Sequence, residues 1–172
     1  MDKKSFARAY QKYAEAIFRH CYFRVYERSD ARDITQDTFV RAWEYLSNGQ
    51  EIDNMRAFLY KVAGNLVVDY YRKKKEVSLD HLREKGFEPE GDSGNGYETR
   101  LDAKTIRRLL TKLDDGYREV IVLRYIDGYK PKEMAEIMGV EANTVSVRLH
   151  RAAKEFKKIL RRNGFNHEYG QI

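Results

Sequence analysis

PKEMAEIMGVEANTVSVRLH, residues 131–150, decides how the second half of the chain folds. Pro131 suits the first position of a helix, because the N–H it lacks is one that a helix leaves unbonded there anyway. Met134 and Met138 repeat at helical spacing, and Gly139 stands where a chain leaving a helix takes positive φ. A second helix follows from about Asn143 to Arg162, with Val145, Leu149, Ala152, Phe156 and Ile159 inward. Small Ala135 lies where the two helices touch, and Met134, Met138, Val140 and Val145 face the core. This is helix-turn-helix spacing, since the crossing requires a small side chain and the turn a residue tolerant of positive φ. Such a second helix enters a major groove led by its N-terminal turns.

Working outward, helical spacing also runs through Ile106, Leu109, Leu110 and Leu113, then Val120, Ile121, Leu123 and Ile126 before Asp127-Gly128. Upstream, periodicity fails over 76–100, where EPEGDSGNG (88–96) has the composition of a linker. Gly91, Gly94 and Gly96 do not make a phosphate loop: no Lys-Ser/Thr follows and no strand precedes. Before the linker, Phe6, Tyr10, Tyr13, Ala14, Ile17, Cys21 and Val25 form one apolar stripe, although CYFRVY (21–26) also reads as a strand. Ser29 and Asp30 offer N-caps for a second helix burying Ile34, Thr38, Phe39, Ala42, Trp43 and Leu46, which stops at Ser47-Asn48-Gly49. After Asp53 or Asn54 a third helix carries Phe58, Leu59, Val62, Ala63, Leu66 and Tyr70 inward and ends in Arg72, Lys73, Lys74 and Lys75. The fold class is therefore all-α: two small helical domains, 1–75 and 101–165, joined by a flexible acidic linker, 76–100.

Charge follows the same division. The total of +6 splits into fifteen basic and ten acidic residues in 1–75, three and seven in 76–100, and fifteen and ten in 101–172. Two basic bodies suit a polyanion, because each phosphate contact releases condensed counterions. Cys21 is the only cysteine, which excludes a disulfide framework and a cysteine-based zinc site and suits a reducing cytoplasm. His20 and Cys21 point about 100° apart on a helix, a poor shared metal site, and the expectation is a core cysteine beside a surface histidine. No apolar run approaches the ~20 residues that span a bilayer, and residues 1–8 lack a signal-peptide core, so membrane insertion is not expected. No catalytic set stands out, and neither an enzyme activity nor a cofactor or metal is expected.

On the last helix, Ser146, His150, Lys154, Lys157 and Arg161 form one exposed line, and Arg148, Arg151, Lys158 and Arg162 another. N-terminal members reach base edges and later cations hold phosphates. Three stretches then carry a resemblance. SDARDITQDTFVRAWEYL (29–46) resembles region 2 of the bacterial sigma factors, and AFLYKVAGNLVVDYYRKKK (57–75) is similar to the segment that family uses on the −10 element. REVIVLRYIDGYKPKEMAEIMGVEANTVSVRLHRAAKEF (118–156) resembles its region 4. Order, spacing and short length resemble the extracytoplasmic-function group.

The resemblance implies an alternative sigma factor that binds RNA polymerase core and directs it to a promoter class. It implies core contact through Asp33, Gln36, Asp37 and Arg41, and capture of the opened −10 strand by Ser47, Asn48, Gly49, Gln50, Glu51, Ile52 and Asp53 with Lys61 and Asn65. Arg72 and Lys73 would hold phosphates. The −35 duplex falls to Ser146, Val147, Arg148, His150, Arg151 and Lys154, and an anti-sigma factor is implied as a further partner. The sequence departs from the family pattern at Phe58, where tryptophan is usual, at Asp114-Asp115 in place of a proline, at Lys130 in a Ser/Thr cap position, and at Ser146-Val147. The residues alone leave open a stand-alone helix-turn-helix repressor or activator, marked by a dimer on a two-fold site, or a protein-only adaptor with an acidic partner.

Overall fold

The computed structural model describes residues 3–82 and 103–165. The order is α1 (Lys3–Tyr22), α2 (Arg28–Ser47), α3 (Met55–Leu82), α4 (Ala103–Leu110), α5 (Asp115–Ile121), a π-helical turn (Val122–Ile126), α6 (Pro131–Met138) and α7 (Ala142–Arg162). No strand occurs among the described residues, as the helical periodicities predict. The 83–100 part of the expected linker lies outside the described residues, while its first residues continue α3 to Leu82.

In the first domain the apolar stripes meet around Ile17, Cys21, Ile34, Phe39, Leu59, Ala63 and Val67, all buried. Burial pushes the Cys21 thiol up to about 12, so it behaves as a small core hydrophobe and not as a nucleophile. Trp43 packs edge-on against Phe6 with centroids 5.0 Å apart, but it is half-buried, where the stripe placed it in the core. The CYFRVY stretch is no strand: α1 ends at Tyr22, and the N–H groups of Phe23, Arg24 and Val25 donate back to the Arg19 and Cys21 carbonyls. Neither Ser29 nor Asp30 is an N-cap, because α2 already begins at Arg28; Asp30 instead borders a shallow depression with Tyr70. Asn54 does cap α3, its Oδ1 accepting the Ala57 N–H at 3.0 Å.

The second domain is built on the predicted turn. Gly139 adopts φ +65°, and the N–H groups of Gly139 and Val140 both donate to the Ala135 carbonyl, closing α6 before α7 crosses it. Nothing lies within 4 Å of a Cβ placed there, so the demand for glycine is purely conformational. Gly139→Ala should cost about 1 kcal/mol in chemical denaturation, with Gly139→Asn recovering part of it; equal stability of the alanine variant would contradict the reading. Asp114, standing in for the usual proline, caps α5 by accepting the Gly116 N–H at 3.0 Å. Lys130 has no acceptor to offer as a cap, and Glu133 compensates by accepting the Lys130 N–H at 2.9 Å. This bond, then the Arg56 guanidinium, hold the Glu133 carboxyl below its ordinary range.

Arg118 is the buried keystone of this domain, 3% exposed. Its Nε donates to the Leu110 carbonyl at 2.9 Å, and Nη2 to those of Thr111 (3.1 Å) and Leu113 (2.9 Å). Nη1 crosses to the first domain, donating to the Arg24 carbonyl at 2.8 Å and to the Tyr71 hydroxyl. All five N–H groups are thus used.

The two domains pack against each other. Arg24, fully buried, donates to Glu119 Oε1 at 3.0 Å and to both Asp115 oxygens at 3.0 and 3.2 Å. Burial alone would pull its guanidinium down; the Glu119 and Asp115 carboxylates outweigh it and hold the charged form. His20 is 1% exposed, not the surface residue expected, because its Nδ1 lies 2.7 Å from Asp127 of the other domain and its ring meets Tyr60 edge-on at 5.0 Å. Arg56 pairs with Glu133 at 2.8 Å and lies over the Tyr129 ring.

Candidate nucleic-acid interface

Three exposed surfaces collect the candidate residues. On α2, Asp33, Gln36, Asp37 and Arg41 are all exposed and, at spacings of three and four, form one strip opposite Ile34, Thr38 and Phe39. Val40, 46% exposed, sits in the same strip and gives it an apolar centre that the stripe analysis passed over. An exposed valine among polar residues is the one signal in the sequence that marked it.

The second surface begins where α2 ends. Asn48 and Gly49 turn the chain by donating to the Glu44 and Leu46 carbonyls, with Gly49 at φ +78°. In the 47–53 loop every residue except half-buried Ile52 is exposed. On α3, Lys61, Asn65 and Arg72 are exposed along one face, and Val68, 53% exposed, falls between Asn65 and Arg72. Arg72 is partly engaged by Asp69 at 3.1 Å. Lys73 does not share that line; it borders a shallow depression with Asp30, Tyr70 and Lys74. Phe58, in the position of the usual tryptophan, packs on Tyr45 with centroids 4.9 Å apart and braces the base of the loop.

The third surface is the start of α7. Tyr117, Asn143, Thr144, Val147, Arg148 and Arg151 line an open depression, so the two arginines named from the sequence converge with three polar residues that were not. Asn143 and Thr144 are exposed in the first turn, where a groove-reading helix touches base edges. His150, Arg151 and Lys154 are exposed, and Arg148 is half-buried against the depression. Ser146 turns its hydroxyl back to the Ala142 carbonyl at 3.0 Å, which occupies its proton. Among the described residues no group of three His, Cys, Asp or Glu side chains could hold a metal ion.

Residues 9–77 match the Sigma-70 region 2 family, and residues 103–156 match Sigma-70, region 4. The chain is 32% identical to the ECF RNA polymerase sigma factor SigW of Bacillus subtilis, over 93% of this chain and 91% of that protein. This chain belongs to the ECF sigma factors. SigM of the same organism is also 32% identical, with 92% and 96% covered. In fold, this sigma factor is similar to RpoE in its complex with the anti-sigma factor NepR from Bartonella quintana (TM-score 0.74, 23% identity, 92% and 98% covered). It is also similar to CnrH in complex with the cytosolic domain of CnrY (TM-score 0.68, 27% identity, 95% and 92% covered). The sigma factor is a transcription regulator that directs initiation, and RNA polymerase core and promoter DNA are its partners. The family does not favour a stand-alone repressor or activator. No helix among its described residues is long and apolar enough to cross a membrane.

Proposed function

We propose that the three surfaces divide the work of promoter selection. The α2 strip of Asp33, Gln36, Asp37, Val40 and Arg41 docks on core. The 47–53 loop with Lys61 and Asn65 takes the opened −10 strand, and Arg72 and Lys73 hold its phosphates. The first turns of α7, with Arg148 and Arg151, read the −35 duplex. The observation that supports this most is the exposed face of α3 directly after a short, exposed loop. Extracting a base from the stack costs a few kcal/mol, and contacts from an exposed loop with cations on the adjoining helix face, Lys61 and Arg72, offset it. The protein itself supplies no chemistry: nucleotide addition stays with core, and the sigma factor is not an enzyme. It acts in the bacterial cytoplasm, where core and promoter are, and without inserting in the membrane. An anti-sigma factor is a third partner, in keeping with the complexes in which both similar structures were solved.

The docking strip is tested by replacing Gln36 and Asp37 together with alanine. Both side chains are exposed and bury nothing, so helix content and melting temperature should stay within experimental error. Core affinity, measured by fluorescence anisotropy of labelled protein, should fall about tenfold or more, the effect of losing ~1.4 kcal/mol. Unchanged affinity would remove α2 from the core contact.

A further inference from the structure

The first turns of α7 carry an apolar side chain in cationic surroundings. Val145 is buried in the core, and Val147, two residues on and about 200° further round the helix, turns away from it and is 44% exposed. Its place brings the fold little, since valine forms helix less readily than alanine. Exposed apolar residues standing singly are common on any surface. Val147 does not stand singly: it lines the open depression with Tyr117, Asn143, Arg148 and Arg151. His150 and Lys154 are exposed close by in sequence, so what approaches Val147 is anionic. Its polar neighbour is already engaged, because Ser146 turns its hydroxyl back to the Ala142 carbonyl at 3.0 Å. Ser146-Val147 is also one of the positions where the sequence departs from the family pattern.

We propose that Val147 reads a thymine of the −35 element by packing on its C5-methyl group, so that this position specifies sequence through an apolar contact and not a hydrogen bond. The base edges in the major groove are donors and acceptors, and the thymine methyl is the one apolar group among them. Asn143, Val147 and Arg151 stand four residues apart and present an amide, an isopropyl group and a guanidinium along one line. The polar ends of that line meet base edges or phosphates on either side and hold Val147 over one base step. The inference rests on the assignment of α7 to the −35 duplex made above. It adds a discrimination that a hydrogen bond cannot produce, against a base that keeps every donor and acceptor of thymine and lacks only the methyl.

Deoxyuridine is that base. Holoenzyme assembled with the full-length chain selects duplexes from a library randomised across both promoter elements, and each thymine of the enriched upstream element is then replaced by deoxyuridine in turn. At one of them binding should weaken about threefold to fivefold, the effect of one methyl group left unburied. In the same column, 5-methylcytosine should bind tighter than cytosine by a similar factor. Val147 is exposed, so Val147→Ala should keep its helix content. In selection this variant should lose the preference for thymine in that column and keep the others, and its response to deoxyuridine there should shrink to within about 1.5-fold. The methyl contact is overturned by an enriched element without thymine, by indifference to deoxyuridine at every upstream thymine, by equal binding of cytosine and 5-methylcytosine, or by a penalty that persists in Val147→Ala. Arg151→Ala keeps that failure apart from failure of the α7 assignment. If it weakens duplex binding while no thymine is sensitive, only the Val147 contact falls; if it leaves affinity and every enriched column unchanged, α7 does not read the duplex and both fall.

Discussion

Arg118→Ala should unfold the second domain at temperatures where the parent chain is fully folded. The substitution strips the Thr111 and Leu113 carbonyls of the guanidinium just past the end of α4, and leaves the Leu110 carbonyl only the Leu113 N–H. It also leaves a cavity and frees the Tyr71 hydroxyl and the Arg24 carbonyl of one partner each. Each buried acceptor left unpaired costs about 1–3 kcal/mol, so a total of about 3–5 kcal/mol is reasonable for the set. For a domain of some sixty residues that corresponds to a fall in melting temperature of about 25–40 °C. Arg118→Lys should recover little, because three donors on one nitrogen cannot span acceptors that a planar fork reaches from three. Differential scanning calorimetry decides it. A fall of less than about 5 °C for the alanine variant would show that water replaces the guanidinium and that Arg118 is not a keystone.

Nothing in the sequence distinguished Arg118 from the other arginines of a basic chain. Its partners stand five to eight residues away within the second domain and 47 and 94 residues away in the first, so its role exists only once both domains are placed. The same holds for His20 and Arg24. Polar residues on an apolar-striped helix read as solvated, and what buries them is a second domain that no periodicity reports. Conversely, the α6–α7 turn was fully legible, because Pro131 and Gly139 act through their own backbone geometry and need no distant partner. The first-domain stripes were legible for a related reason: residues three and four apart on one helix share a face whatever they meet. Trp43 marks the limit of that rule, since it lies on the correct face and packs edge-on against Phe6 yet is only half-buried. In the candidate site, Lys61 and Asn65 were named by the resemblance to region 2, and their spacing of four sets them on one helix face. The convergence of Tyr117, Asn143 and Thr144 on the Arg148 depression depends on how α5 packs against α7 and was out of reach of either.

The reading surfaces should fail in different ways, and the contrast separates opened-strand capture from duplex recognition. Arg148→Ala or Arg151→Ala removes a cation from the depression at the start of α7. Each lost bidentate base contact is worth about 1–3 kcal/mol, so holoenzyme affinity for duplex promoter should fall between about five- and 150-fold. Opening of the complexes that still form should be normal. Asn65 is exposed on α3, on the surface proposed for the other element, so Asn65→Ala should leave gel-shift affinity for closed duplex within about twofold and reduce strand opening instead. Permanganate reactivity of unpaired thymines reads that loss directly. On a template already mismatched across the −10 element, the cost of a few kcal/mol for unpairing is gone, and transcription by the Asn65 variant should recover in part. Recovery should stay partial, because the proposed role of the side chain includes recognition of the extruded base. Duplex affinity untouched by both arginine changes would remove α7 from −35 recognition. If Asn65→Ala altered neither permanganate reactivity nor transcription, α3 would lose its role in capturing the opened strand, and the −10 contact would have to be sought in the 47–53 loop alone.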